Sequence, residues 1–513
     1  MGNSETSRWE YILGHDKYLG VPRRRYVRSL TVSCDLSENE YEIARSLVEV
    51  LPSFLNLRSL QCDYSSGLIE QYPRLVECIP NLVQLTEIEL QEFFRATLPS
   101  LPAILAAPNL TTVTLWFAQD PEDVESWDVS QAFALLSTLA ALPSLFALSL
   151  TCPDIDIPPR STTMRIIPML SSLRHMIIDN LICNATANIV AYCPNLTTLK
   201  IDWHVDYQED SDQEDSDLAH LPPLTEDVWP SIHELDCCIP LPSSCTGRFG
   251  RASKVTMHYA HLYNHKHFLS ILSETRPSCL RLIDTVYHFD SERGQINHAW
   301  KRLAKTLPQL RSLLLWLRDS SLTEDFVNVL LDVLRPLPLT HFSFRVNTPK
   351  TYGPLSMAGV NRCRTQEVRR VDTLRALPDA LPRALPHLRV FSLGPCKTVL
   401  REWDRRSGRP EEFWKYLKPD VCAAIQAQDA VDEEWGEMSA QVDEHLRELR
   451  RREDETAGLR NERWWWVEGE GEERRAIEIW KEKGEWARDV IEGEDFQPGD
   501  LTGMFRDSWR YEP

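Results

Sequence analysis

The sequence predicts an α/β fold, a solenoid whose curved parallel sheet forms the concave face and whose helices form the convex face. Three observations predict it: a short leucine-based phrase recurs along the chain, its copies keep a regular spacing, and a proline often precedes them. At 513 residues the chain is too long for one compact core, and stacked repeats are one way in which such chains bury apolar surface.

The recurring phrase reads LxxLxL with substitutions. Copies include LPSFLNLRSLQC at 51–62, IPNLVQLTEIEL at 79–90, LPSLFALSL at 142–150, CPNLTTLKI at 193–201 and LPQLRSLLL at 307–315. The central apolar residues of the first eight copies are Leu30, Leu60, Ile88, Val113, Leu148, Met176, Leu199 and Leu235. They lie 23 to 36 residues apart. This spacing is typical of long leucine-rich repeats with insertions.

Each copy also predicts its own local structure. The last two apolar positions alternate, so they lie on one side of a short strand, and the residues between them lie on the other. The preceding run, as in Ala44, Leu47, Val48 and Leu51, has the spacing of an amphipathic helix. Proline ends that helix, because the residue before a proline disfavours helical backbone. One repeat is therefore a helix, a proline-marked turn and a strand.

We predict three regions along the chain. Residues 1–25 form an N-terminal segment or cap, and residues 26–400 form the irregular solenoid of about 11 to 13 repeats, with an acidic insertion at 206–221. Residues 401–513 form a mostly helical, acidic extension that holds nine of the 16 tryptophans. The run at 464–472 predicts a strand and turn, or a docking segment. Because so many tryptophans rarely stay exposed, we predict that the extension caps the end or the concave surface of the solenoid.

The phrase YVRSLTV at 26–32 and the copies of LPxLxxLxL resemble fungal (basidiomycete-type) F-box proteins with irregular leucine-rich repeats. The resemblance covers roughly residues 26–400. It implies an F-box that binds the adaptor of a cullin ubiquitin ligase and a solenoid that holds the substrate. An F-box is longer than the 25 residues that precede the first strand, and none of these reads as its opening Leu-Pro phrase, so we expect the F-box to be absent.

Two functions follow from this. The first is a substrate-recognition or adaptor subunit of an SCF-type ubiquitin ligase, and the alternative is a leucine-rich-repeat scaffold unrelated to ubiquitin. In either case we expect a protein partner on the concave face.

Composition argues against other classes of partner. The net charge of −20 disfavours nucleic acid, since phosphate is bound through Lys and Arg, and the densest basic run is only Arg23 to Arg25. The 13 cysteines are odd in number and show no CxxC pair, which predicts free thiols and a cytoplasmic or nuclear protein. Two charge-free stretches, 97–119 and 129–153, contain proline and repeat phrases, so we expect no membrane span.

No motif predicts catalysis, a cofactor or a metal site. The histidines His258, His261, His265 and His267 lack the further ligands that zinc needs, and an acidic run at 206–217 lacks the glycine and glutamate of a calcium loop. There is no phosphate-binding loop, dinucleotide fingerprint or nucleophile elbow. We therefore predict that the protein is not an enzyme.

The predicted site is the concave face, formed by the residues between the strand leucines. Binding hot spots are rich in Trp and Arg, so the predicted partner contacts are Trp116, Trp316 and Arg345, together with Glu89, Lys200 and Asp202. An alternative for the two tryptophans is packing on loops beside the sheet.

Overall fold

The structure is a computed structural model of the chain. It describes residues 21–33, 47–118, 129–151, 168–180, 184–202, 229–238, 248–258, 265–286, 293–318, 324–346, 373–394 and 462–511, with residues 14, 127, 155, 157 and 158. The acidic insertion at 206–221, His261 and residues 401–461 lie outside this set. The chain divides into two compact units, residues 1–252 and 253–513.

The first unit contains a parallel sheet of eight strands that pair in chain order. The strands are β1 (Ser29–Val32), β2 (Ser59–Cys62), β3 (Glu87–Phe93), β4 (Thr112–Phe117), β5 (Ala147–Thr151), β6 (His175–Asp179), β7 (Thr198–Ile201) and β8 (Ile232–Cys238). Its α-helices are α1 (Ser65–Gln71), α2 (Arg74–Cys78), α3 (Leu101–Ile104) and α4 (Val129–Ala140). Strand and helical segment alternate in sequence, which is the predicted α/β leucine-rich-repeat architecture.

The second unit repeats this pattern and then changes it. Its strands are β9 (Ala252–His258), β10 (Cys279–Val286), β11 (Ser312–Arg318), β12 (His341–Val346), β13 (Val390–Leu393), β14 (Arg463–Glu468) and β15 (Arg475–Ile479). Its helices are α5 (His265–Thr275), α6 (Arg293–Thr306), α7 (Glu324–Leu334), a helical segment at residues 373–384 and α8 (Lys481–Glu492). Strands β9 to β13 are parallel, whereas β14 pairs antiparallel with β13 and with β15.

The register confirms the repeat phrase at single-residue precision. In the first unit the central apolar residues lie directly opposite one another, from the pair Leu30–Leu60 through to the pair Leu199–Leu235. In the second unit Val255, Leu280 and Leu313 continue the same kind of ladder. All of these except Leu30 are buried, because the leucine side of each strand packs against the helical side of the repeats.

The backs of the repeats differ from the prediction in one respect. In several repeats a 3-10 segment adjoins the α-helix or replaces it: Leu51–Ser53 follows helical residues 47–50, Ile79–Asn81 follows α2, Arg95–Ser100 precedes α3, and Asn184–Tyr192 is 3-10 throughout. Pro52 and Pro80 lie in the first turns of Leu51–Ser53 and Ile79–Asn81. A proline has no backbone N–H, so it cannot extend the hydrogen bonds of the α-helix that precedes it.

Polar side chains link successive repeats. The Asn56, Asn109 and Asn195 amides each donate to a backbone carbonyl of the preceding repeat, at Arg25, Val83 and Ser171, over 2.7 to 2.8 Å. The hydroxyls of Thr111 and Thr197 make the same kind of bond to the preceding repeat. The phrase Pro-Asn-Leu-Thr-Thr therefore recurs because its polar residues satisfy carbonyls between strands.

Residues 462–511 confirm the predicted cap for the part of the extension that is described. The run Trp464 to Trp466 forms β14, followed by a turn at Gly469, which has a φ of +87°. Helix α8 packs against β13 and β14 and encloses Trp464, Trp466, Ala487, Ile491 and Trp509 in one apolar cluster. The extension was predicted to be mostly helical, and its described part contains two strands as well as helix α8. The tryptophan run forms a strand because its backbone pairs with the otherwise unpaired edge of β13.

The arginine Arg474 ties this cap to the last repeat. It is 8% exposed and donates to the backbone carbonyls of Pro382, Leu385 and Leu388. A buried guanidinium has five donors to satisfy, so it fixes the turn between β14 and β15 against the end of the preceding helical segment.

Candidate functional site

The polar face of the first unit is the side of its sheet opposite the buried leucines. Its middle row consists of Thr31, Gln61, Glu89, Thr114, Ser149, Ile177, Lys200 and Asp236, paired strand to strand in that order. The alternation of leucines with these residues is the one predicted from the phrase.

A shallow depression lies in the centre of this polar face. Strand β5 contributes only the small residues Ala147, Ser149 and Thr151, while β4 and β6 on either side contribute Trp116 and Ile177. Trp116 lies in the row of Thr151, two residues further along the strands than the row of Ser149 and Ile177. With about 4.8 Å between neighbouring strands and about 3.3 Å per residue, the two side chains flank a diagonal gap of roughly 12 Å. Trp116 is 38% exposed and Ile177 is 39% exposed. The gap is wide enough for one apolar side chain of a partner.

The charge of the polar face is one-sided. Its strands and the residues directly after them carry Asp63, Glu87, Glu89, Glu92, Asp179, Asp202, Glu234 and Asp236, against a single lysine, Lys200. Burial raises the pKa of Glu92, and the neighbouring charge of Asp63 raises it further. Burial is the larger cause of this shift, and Asp63 adds to it because two close carboxylates resist ionising together.

The four predicted contacts in this unit share the polar face and belong to three strands. Trp116 is on β4, Glu89 on β3 and Lys200 on β7, and Asp202 directly follows β7. Glu89 accepts a hydrogen bond of 2.6 Å from Gln91, and Asp202 accepts one of 2.9 Å from the thiol of Cys238. Ile177 is absent from the predicted set, although its place between two buried strand residues, in the phrase LSSLRHMII, marks it as facing outward.

The polar face of the second unit is covered by the chain's own C-terminal segment. The Glu492 carboxylate at the end of α8 lies 2.7 Å from the Arg281 guanidinium and 3.7 Å from the Lys254 ammonium. Arg311 donates to the backbone carbonyl of Gly493, and its guanidinium lies over the ring of Phe496. Basic residues on the strands or directly before them therefore bind the acidic C-terminal end of α8.

The two predicted contacts in this unit lie at the border of the covered surface. The Arg345 guanidinium is 2.8 Å from the Glu462 carboxylate and lies over the Trp316 ring, 5.7 Å from its centroid. Burial raises the pKa of Glu462, but the hydrogen bond from Lys481 and the charges of Arg345 and Lys481 outweigh it and leave that pKa lowered. Arg345 therefore makes its contacts within the molecule, with the Glu462 carboxylate and the Trp316 ring.

Three further residues of the second unit, which flank the strand leucines or phenylalanines and so belong to the predicted concave face, are buried instead. Ser312 and Ser343 are 2% exposed, and His341 is fully buried. The His341 ring stacks on Trp464, and its Nδ1 lies 2.9 Å from the Ser312 hydroxyl, which also contacts Glu492 at 3.2 Å. Burial first, and then the charges of Arg488 and Arg281, lower the pKa of His341 to about 3. A serine and histidine enclosed in this way cannot meet a substrate.

Within the described part of the chain, no set of three His, Cys, Asp or Glu side chains is placed to hold a metal ion. The same residues include no helix with the length and apolar character needed to cross a membrane. The described cysteines, which are Cys62, Cys78, Cys193, Cys237, Cys238 and Cys279, form no disulfide bond with one another.

Comparison with known proteins identifies no family for the chain. No protein-family model matches the chain, and no curated protein matches it. Among solved structures, the chain is similar to the leucine-rich repeat-containing protein LegL7 from Legionella pneumophila, with 15% identity and a TM-score of 0.33. That match covers 66% of this chain and 96% of the other. The fold assignment rests on the strand register described above.

Proposed function

We propose that the chain is a protein-interaction module whose first unit binds a partner protein on its polar face. The observation that carries the proposal is the exposed pair Trp116 and Ile177, which flanks the small residues of β5. A sheet face with no role beyond solubility would favour polar residues at both positions, and exposed aromatic anchors beside small residues are typical of binding hot spots.

The second unit supports this choice by contrast. Its polar face is already engaged by residues 462–511, through the apolar cluster around Trp464 and through the ion pairs of Glu462 and Glu492. We therefore keep Trp116, Glu89, Lys200 and Asp202 as proposed partner contacts, and assign Trp316 and Arg345 to the intramolecular cap.

The test is differential capture with the full chain. Partners are recovered from cell extract on wild type, on a W116A/I177S variant and on a V83S control, since Val83 is an exposed apolar residue of the same unit, outside the strands. We expect a partner that wild type and V83S retain and that W116A/I177S loses, followed by a direct titration with the purified partner. If every captured protein binds the W116A/I177S variant as well as wild type, the polar face is not the binding surface.

We further propose that this binding serves substrate recognition in an SCF-type ubiquitin ligase, with the protein in the cytoplasm or nucleus. The phrase at 26–32 and the repeats that follow support it through their resemblance to fungal F-box proteins. The test is co-purification of the full chain with the ligase adaptor, using a known F-box protein as the positive control. If the positive control recovers the adaptor and this chain does not, the scaffold unrelated to ubiquitin is the better assignment.

A further inference from the structure

We propose that the polar face of the first unit binds an extended segment of its partner in which Lys and Arg flank an apolar residue. The inference rests on the proposed function and specifies the chemistry of the ligand. Three observations support it: the order of side chains across the strands, the negative charge of the face, and the ion pairs by which the chain's own C-terminal segment covers the other polar face.

The order of side chains across the strands defines a pattern. Moving from β3 to β8, the face presents acidic Glu87 and Glu89, then Trp116, then the small residues of β5, then Ile177. Asp179 follows on β6, Lys200 lies directly beside Ile177 on β7, and Glu234 and Asp236 lie on β8. Carboxylates thus lie on both sides of the apolar depression, with Lys200 between Ile177 and Asp236 on one side. A segment that crosses the strands would place an apolar side chain in the depression and basic side chains over both acidic borders.

The length of the segment follows from the sheet. Five strand spacings separate β3 from β8, which is roughly 24 Å at about 4.8 Å per spacing. An extended chain advances about 3.3 Å per residue, so about seven or eight residues cover the pattern. A short linear segment of a partner is sufficient.

Two described arginines of the first unit donate to backbone carbonyls beside this face. Arg28 and Arg174 precede β1 and β6, at the ends of the strands, and donate to the backbone carbonyls of Asn56 and Asn195. Lys200 is one cation beside eight carboxylates on the strands and directly after them. Clustered charges of one sign raise the local concentration of an oppositely charged ligand and speed its association.

The second unit gives an example of the same recognition with the signs reversed. There the strands present Lys254, Arg281 and Arg345, and the segment that covers them supplies Glu492 and Glu462 beside an apolar cluster. Charge complementarity around an apolar centre is therefore already used once by this chain to hold a segment on a polar face. The acidic face of the first unit calls for a basic segment by the same physical rule.

The experiment measures peptide binding to the full chain by fluorescence anisotropy. The probe is an eight-residue peptide with the order basic–basic–Leu–basic, repeated, and the comparison peptide carries Glu at each basic position. We expect the basic peptide to bind at least about tenfold more tightly than the acidic one, and to weaken steeply between low and high salt because exposed charges are screened.

Matched variants separate a site from the general negative charge of the chain. The variant E87K/E89K reverses two charges on the polar face, and E70K/E77K reverses two on α1 and α2, outside the sheet. We expect the first to weaken the basic peptide about tenfold and the second less than about twofold. The variant I177S should weaken it severalfold at unchanged charge, and thermal melting verifies that each variant is folded.

Equal weakening by the two charge reversals, or equal binding of the acidic peptide, would overturn the inference. If the basic peptide fails while a captured partner still depends on Trp116 and Ile177, the proposed function stands and only the ligand chemistry is wrong. If neither depends on this face, both proposals fail.

Discussion

The two polar faces of this chain arise from the same repeat phrase, but one is exposed to solvent and the other is covered by the C-terminal segment. In the first unit the face is acidic and leaves Trp116 and Ile177 more than a third exposed. In the second unit the face is basic, and Ser312 and His341, which lie directly opposite each other on β11 and β12, are buried beneath the C-terminal segment. The repeat phrase therefore determines which side of the sheet a residue occupies, but a distant segment determines whether that residue meets solvent.

This difference also separates two roles for tryptophan. Trp464 is 1% exposed and forms part of the core of the cap, whereas Trp116 stands on an open strand. Four measurements test whether the covered face and the open face differ in this way.

The largest effect is expected for W464A. Removing this buried ring leaves a cavity between α8 and the sheet, and we expect the second unit to lose about 3 to 5 kcal/mol of stability. Hydrogen exchange of β13 and β14 under urea reports this local free energy of unfolding. The control is W116A, which should cost less than about 1 kcal/mol because its ring is partly solvated. Similar losses in both variants would show that the two faces are not different in kind.

The second effect is a pH dependence confined to the covered face. His341 has its pKa lowered to about 3 by burial, against about 6.5 when unfolded, so the unfolded state binds the proton more readily. The stability that this group contributes is complete above about pH 6.5 and falls as the pH drops towards 3, by about 2 kcal/mol between pH 7 and 5.

Hydrogen exchange of the second unit at the two pH values measures this loss. The variant H341N keeps a side-chain amide near the Ser312 hydroxyl and removes the titration, so it should remove most of the pH dependence. An unchanged slope in H341N would assign the effect to other groups.

The third effect tests how closely α8 approaches the sheet. A Cβ atom at Gly484 would overlap the Trp464 ring, so G484A should destabilise the second unit by about 1 to 2 kcal/mol. In an exposed helix the same substitution would stabilise by up to about 1 kcal/mol. The control G499A has no atom within 4 Å of the added Cβ and should be nearly neutral in the same urea titration. A stabilising G484A would contradict the packing of α8 on the sheet.

The smallest effect concerns the ion pairs of the covered face. Glu492 is largely buried beside Arg281 and Lys254, so E492Q should cost about 1 kcal/mol, mostly at low salt. The control E482Q removes an exposed charge from the first turn of the same helix and should cost a few tenths of a kcal/mol. If the two substitutions cost the same at low salt, charge complementarity contributes little to the covering of this face.

Much of the fold could be predicted because the repeat is a local pattern. The positions Leu60, Ile88 and Val113 pair directly because alternation in a strand and the length of one repeat are both written in neighbouring residues. The same alternation placed Glu89, Trp116 and Lys200 on one face. The 3-10 segments, such as Ile79–Asn81 directly after α2, were not predicted, because the apolar spacing of the phrase does not distinguish 3-10 from α-helical turns.

The tail shows where local patterns no longer decide the outcome. Its tryptophan density predicted burial and its run at 464–466 predicted a strand, and both are confirmed in the described residues. Neither feature indicated that the strand would pair with β13, or that α8 would turn back across the polar face with Glu492 over Arg281.

The sequence by itself determined the repeat, the register and the side of the sheet on which each residue lies, since these depend on spacings of a few residues. The tertiary structure alone decided that Ser312 and His341 are buried while Trp116 and Ile177 remain exposed. That decision depends on contacts between residues well over a hundred positions apart, such as Ser312 with Glu492, which no local pattern encodes.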